Sequence, residues 1–397
     1  MAWIIPYNKL DEQQKDFIDN VDINQRNVWI KGFPGSGKSV LLAYTIRKIK
    51  NSNPNAKIVF IVFTQSLKAM FEAAFREMGQ TVNIMTFYEF MNDNATYDYI
   101  LSDEVQDLTP SVLQEMNNRS KHVVVAGDSN QSIYTRDPKF RENTVTPSEI
   151  NSLLYARDFE LGIVHRLSSS IIHVIEKFLP RMNIFTARRD MTKQSTQVRL
   201  CEAHSQTEEV QYIMREAQRA INIGDTAAIL IPTHEDIIKF INIALKDAGK
   251  KEWEPSVNRW GKTDWGALNS HLQSEKMPMQ YVGNSYGSFS EESKMITVMT
   301  YHSAKGLDFD NVFIPYLNSN LFIVPDETLS KTLFMVAMTR SRNNLYLTYC
   351  GYAHSYLNAF KEDCHHIDIH DSLRGVSNPT ATNKRNNSSE TTNPFGI

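Results

Sequence analysis

The stretch Gly32–Ser39 reads GFPGSGKS, a G-x-x-x-x-G-K-S pattern whose residue types suit the holding of nucleotide phosphates. Gly35 and Gly37, with Ser36 between them, let the backbone fold into a nest of N–H donors. Lys38 has the reach to meet β- and γ-phosphate oxygens, and the Ser39 hydroxyl is of the kind that ligates Mg2+. Farther on, SDEVQD sets Asp103 and Glu104 side by side. Asp103 would hold Mg2+ directly or through water, and Glu104 would position or deprotonate an attacking water. Gln131, in GDSNQSIYTRD, carries an amide suited to a γ-phosphate or to that water.

Each of these groups needs an element to present it. NVWIK precedes the phosphate loop and VLLAYTIRKIK follows it, so the loop leads from a strand into a helix N-terminus, where partial positive charge favours anions. YILSDE and VVVAGD are apolar runs that end on the acids and on Gly127-Asp128. Open α/β sheets bind ligands at such carboxyl ends. Comparable runs recur as KIVFIVFT and VNIMT, then QVRLCEA, AAILIPT, MITVMTYH, NVFIPYL and NLYLTYC. Helical stretches such as Val40–Lys50, Ser66–Met78 and His234–Ala248 separate them. The alternation predicts an α/β protein with two mostly parallel sheets covered by helices. A boundary near Thr144–Asp158 divides it into lobes over residues 1–150 and 151–374. Residues 375–397, polar and rich in Asn, Thr and Ser, read as a disordered tail. The segment Lys251–Glu292, with Trp253, Trp260 and Trp265, yields no assignment.

The bulk numbers agree with this outline. A chain of 397 residues exceeds one ordinary core, and 41% hydrophobic with 22% charged residues fits a globular protein. The net charge of −3 gives no global basic signal, although a local stripe of Lys and Arg is enough to bind nucleic acid. Cys201, Cys350 and Cys364 lie far from any C-x-x-C spacing, which predicts a reducing, cytoplasmic setting. Neither a signal peptide nor a membrane-length apolar run is read. The cluster CHHIDIH, Cys364 to His370, matches no standard zinc spacing and reads as the polar rim of a short strand or turn.

Taken in order, the segments resemble the superfamily one helicases of the UvrD/PcrA/Rep type, from Leu10 to about Tyr349. The resemblance implies two RecA-like P-loop lobes with an ATP site at their interface, and ATP with Mg2+ as cofactors. LDEQQ looks like the adenine-reading motif, with Gln14 at the glutamine. VFTQSLKAMF and MTFYEF resemble nucleic-acid-contacting motifs and imply Phe63, Thr64, Thr86 and Phe87 on that face. DEVQD and GDSNQSIY match the family's DE-x-QD and GD-x-x-QSIY. GIVHRLSSSI resembles the segment carrying an arginine to the γ-phosphate, here Arg166, with His165 where the family has an adenine-stacking tyrosine. VMTYHSAKGLDFDNVFIP is similar to T-x-H-x-AKGLEF. It implies nucleic-acid contacts at Thr300, Tyr301 and His302, nucleotide contact at Gly306, and Asp308 in place of a ribose-binding glutamate. LFMVAMTRSR supplies the final arginine, Arg340. With both arginines expected in the second sheet and the phosphate loop in the first, hydrolysis would require the lobes to close. The implied activity is DNA-stimulated ATP hydrolysis that drives translocation on single-stranded DNA, with duplex unwinding possible.

The chain also departs from that family. Only MNDNATYDYILS separates Phe90 from Asp103, and Thr233–Met295 is short, so the accessory insertions are absent. SIYTRD lacks the tryptophan that follows SIY in the relatives, and base stacking of that kind is worth about 1–3 kcal/mol. Phe63, Tyr134 and Tyr301 remain as candidate stacking rings, while Arg136 would contact a phosphate or pair with Asp137. A second expectation follows: an ATP-driven regulatory module acting with a separate protein partner such as a nuclease.

Overall fold

The computed structural model describes residues 5–128, 131–180, 188–189, 196–283, 286–290 and 293–375. The expected tail, apart from Gly375, lies outside them. The first sheet holds β1 (Val28–Gly32), β2 (Ile58–Val62), β3 (Asn83–Thr86), β4 (Tyr97–Ser102), β5 (Ser120–Gly127) and β6 (Arg157–Leu161). All its pairs are parallel, in the order β3-β2-β4-β5-β1-β6. A short parallel pair follows, β7 (Ile163–Val164) with β8 (Arg188–Arg189). The second sheet holds β9 (Arg199–Ala203), β10 (Ala227–Ile231), β11 (Met279–Tyr281), β12 (Ile296–Thr300), β13 (Phe309–Ile314), β14 (Ser341–Cys350) and β15 (His365–Asp368). It too is parallel throughout, ordered β11-β12-β10-β13-β14-β9-β15.

Strand alternation sends each sheet's side chains to two cores. In the first lobe, Val28 and Ile30 pack with α1 (Glu12–Asn20), α2 (Lys38–Ser52) and α3 (Gln65–Glu77). Trp29, Val59 and Ile61 pack on the opposite face with α4 (Phe87–Asn92), α5 (Pro110–Asn118) and α6 (Pro147–Leu154). The second lobe repeats the scheme. Ala228 and Leu230 meet α7 (Ser169–Phe178) and α11 (Glu327–Met338), while Ile229 and Ile231 meet α8 (Gln206–Asn222), α9 (His234–Asp247) and α10 (Trp265–Ser274). A last short helix, α12 (Ile369–Leu373), follows β15. Burial on both faces is why these strands are apolar almost throughout.

The joins between strand and helix are made by hydroxyls. Thr64, Thr86, Ser205 and Thr233 each cap the following helix by accepting a backbone N–H three residues on. Two expectations need correction. The first sheet extends past residue 150, because β6 pairs with β1 along Arg157–Leu161. Arg166 lies on the crossover between β7 and α7 rather than within the second sheet. Within Lys251–Glu292, Trp253 and Trp265 are buried, whereas Trp260 stands 65% exposed in the turn between bridged Val257 and Thr263. Among the described residues, no helix is long and apolar enough to cross a membrane.

Candidate nucleotide site between the lobes

Gly35 and Gly37 adopt φ of 76° and 90°, the left-handed region the loop requires. A Cβ at Gly35 would lie 2.3 Å from Arg166 Cβ, and one at Gly37 would lie 2.3 Å from Gln14 Nε2. Lys38 Nζ donates to the carbonyls of Gly32 at 2.8 Å and Phe33 at 3.1 Å, so the ammonium lies folded over its own loop. Burial pushes its pKa down, while Asp128, Glu104 and Asp103 act to keep it charged. Ser36 Oγ is buried without a hydrogen-bond partner, the condition expected of a hydroxyl placed to receive a ligand oxygen.

Ser39 Oγ donates to Asp103 Oδ2 at 2.5 Å, which joins the two residues suited to a Mg2+ ion. Burial and the neighbouring Glu104 carboxylate raise the Asp103 pKa to about 6. Burial also opposes charge on Glu104, but Lys305 and Lys38 outweigh it and hold that carboxyl below its ordinary range. Glu104 sits in the left-handed region at φ 54°, and its Oε2 accepts from Gln106 Nε2 at 2.5 Å. Strain of this kind in a non-glycine residue concentrates at functional sites.

Gln131 follows β5 and faces the second lobe. Its Nε2 donates to Asp128 at 3.0 Å, and its Oε1 accepts from Arg340 Nη2 at 2.9 Å. Arg340 is 2% exposed, and it also donates to the carbonyls of Val336 and Leu307. The crossover clasps the phosphate loop through its backbone: the N–H groups of His165 and Arg166 donate to Gly35 O at 2.9 and 3.2 Å. The Arg166 side chain donates to Asp308 at 3.2 Å, and its Nε is buried without a partner. Asp308 also accepts from Arg342. His165 Nε2 lies 2.5 Å from Asp11 Oδ2. Gln14 closes the capping box of α1 with Asp11 and donates to Ser36 O at 3.0 Å, so its amide braces the loop.

Together these residues surround a cleft of about 500 Å3. Gln14, Gly35, Gly37, Lys38, Ser39, Asp103, Glu104, Gln131, His165, Arg166, Gly306, Asp308 and Arg340 all line it. An apolar wall that includes Met70, Ala73 and Phe289 suits a nucleobase. The glycine cradle, the orphaned Ser36 hydroxyl and the orphaned Arg166 Nε all fit a triphosphate.

One central residue escaped the sequence reading. Lys305, 3% exposed, crosses from the second lobe to ion-pair with Asp107 and to donate to Gln131 O at 2.5 Å, and it lies 3.9 Å from Glu104. Burial pushes the Asp107 carboxyl up to about 6 despite that contact. The available signal was a lysine set among the small and apolar residues of HSAKGLDF, where a buried charge needs a partner.

The expected nucleic-acid residues are not all at a surface. Phe87 is 2% exposed and Tyr301 0%, both within packed cores, so neither offers a ring face to a base. Phe63 is half-buried and stacks between Phe87 at 5.0 Å and Tyr134 at 4.6 Å. Thr64 and Thr86 serve as helix caps, and buried Thr300 donates to Ser303 Oγ at 2.9 Å. His302 lies 6.0 Å from Tyr134 across the lobes. Arg136 does not pair with Asp137; it is exposed and donates to the Arg141 carbonyl, while Asp137 accepts from Tyr88.

A phosphate loop on one parallel sheet, faced across a cleft by an arginine from a second, defines a two-lobed α/β P-loop protein. Residues 14–137 match the AAA domain family, and residues 279–352 match the UvrD-like helicase C-terminal domain. A 55-residue segment is 44% identical to F-box DNA helicase protein 1 of Schizosaccharomyces pombe, which covers 13% of this chain and 6% of that protein. The two family matches and this segment support a UvrD-like helicase of superfamily one.

Proposed function

We propose that this chain hydrolyses ATP to ADP and phosphate and uses the cycle to move along single-stranded DNA. The observation that carries the reading is the meeting of Lys38, Asp103 and Glu104 from one lobe with Arg340 from the other around a single cleft. Lys38 would exchange the carbonyls of Gly32 and Phe33 for phosphate oxygens. Ser39 and Asp103 would hold Mg2+, which when bound compensates phosphate charge. Glu104, kept ionised by Lys305 and Lys38, accepts a proton from the attacking water. Arg340 and Arg166 stabilise charge on the transferring phosphoryl group, a contribution of roughly 10³–10⁵ in rate for such arginines. Gln131 touches Arg340, so γ-phosphate loss would be felt in both lobes.

Phosphate release measured with and without single-stranded DNA tests the proposal. Hydrolysis is expected to rise with DNA and to vanish in Lys38→Ala; an identical rate across all salt concentrations would reject the translocase. The burial of Phe87 and Tyr301 favours a second reading, in which hydrolysis signals to a protein partner such as a nuclease. DNA-indifferent hydrolysis together with a co-purifying partner would select it.

A further inference from the structure

We infer that His204, Glu208 and His370 form a site for a divalent ion of the Zn2+, Co2+ or Ni2+ class, apart from the nucleotide cleft. His204 lies in the loop after β9, Glu208 in the first turn of α8, and His370 in α12. His370 is the last residue of CHHIDIH, whose own spacing fits no zinc pattern. The fold supplies what the spacing lacks, because one ligand atom from each of the three residues lies within 4.8 Å of the other two. The two imidazoles stack at 4.7 Å between centroids, with 24° between their planes. The Glu208 carboxylate is held by both segments: Oε1 lies 2.7 Å from His370 Nδ1, and Oε2 accepts the His204 backbone N–H at 3.1 Å. Its bond to His370 keeps that carboxyl below its ordinary range. Asp368 Oδ2, 3.9 Å from His204 Nε2, stands near as a fourth donor.

Zinc bonds of about 2.0–2.2 Å place tetrahedral ligands about 3.3 Å apart, so the ligand atoms must close by roughly 1.5 Å or less and one of the two near-parallel rings must turn until both ring planes meet at the ion. His204 is exposed on a loop and can supply that movement. Two imidazole nitrogens with carboxylate oxygens favour this class of metal over Mg2+, which prefers an all-oxygen shell. Cys364 takes no part, because its thiol is buried and directed to Phe360 O. A bound ion would fasten the edge strand β15 and helix α12 to α8, beside the existing bonds from Arg215 to Ser372.

The test is calorimetric titration of ZnCl2 into the full chain, stripped with EDTA and kept in Mg2+, with melting temperature read in parallel. One equivalent is expected to bind and to raise melting by several degrees. Affinity should fall at least tenfold in His204→Ala and Glu208→Gln, and should be unchanged in His365→Ala and Lys38→Ala. His204 lies in an exposed loop, so its variant remains informative if His370→Ala does not fold. No stoichiometric binding, wild-type affinity in His204→Ala, or loss of binding in Lys38→Ala would each overturn the site.

Discussion

Glu104 holds a left-handed backbone that costs an ordinary residue about 1–3 kcal/mol, at the point where β4 delivers its acids. The geometry aims its carboxylate toward Lys305 and Gln106. Glu104→Gln preserves shape and removes the proposed base, so turnover should drop by roughly 10²–10⁴ while nucleotide binding persists. Phosphate release beside equilibrium binding of a fluorescent nucleotide checks it; undiminished turnover would remove Glu104 from the chemistry. Lys305 carries a different burden. Lys305→Met strips the buried Asp107 of its counter-ion, and breaking such a pair costs about 3–5 kcal/mol. Adding Asp107→Asn should recover part of that loss, because a neutral amide tolerates burial better. Urea unfolding of the single and double variants measures both. An unshifted midpoint in Lys305→Met would show that the pair contributes nothing to stability.

At the scale of elements, the lobe contact narrows at Gly306. Its φ is 83°, and a Cβ there would lie 2.6 Å from Leu67 Cδ2 on α3. Gly306→Ala should therefore hold the lobes apart and slow hydrolysis, on top of about 1–2 kcal/mol for the left-handed backbone. Leu67→Ala in the same chain should restore the steric part alone; if hydrolysis in Gly306→Ala equals wild type, the contact does not govern closure. Much of this layout was legible in the sequence. Strands buried on both faces are apolar throughout, and the phosphate loop and the paired acids of SDEVQD declare themselves over a few residues. What stayed hidden is non-local. RDFEL in β6 is an edge strand with two of its five residues exposed and only Leu161 buried, so it lacks the apolar run that marks the others and does not announce itself as part of the first sheet. Lys305 and Asp107 are separated by 198 positions, and no local pattern pairs them. Tyr301 and Phe87 each follow a strand end, where sequence does not say whether a ring turns to the core or to solvent.

For the whole molecule, the question is whether the lobes act as one unit. Gln131 is the link most open to measurement, since its Oε1 accepts from Arg340 and its Nε2 donates to Asp128 in its own lobe. Ile133, two residues on, is packed into the second lobe's core, so the segment after β5 is already embedded in its neighbour. If the Gln131–Arg340 contact transmits the state of the cleft, either substitution breaks the same connection and the second adds little. Gln131→Ala, Arg340→Ala and the double variant then give a non-additive cycle in kcat/KM, with an interaction energy of about 0.5–3 kcal/mol. If instead each residue meets the phosphate independently, the two losses multiply. Nucleotide affinity measured on the same four proteins separates transmission from binding, because loss of the link should lower turnover more than it weakens ATP. Strict additivity in kcat/KM would mean that closure is carried elsewhere, with the Lys305–Asp107 pair and the Gly306–Leu67 approach among the other connections across the cleft.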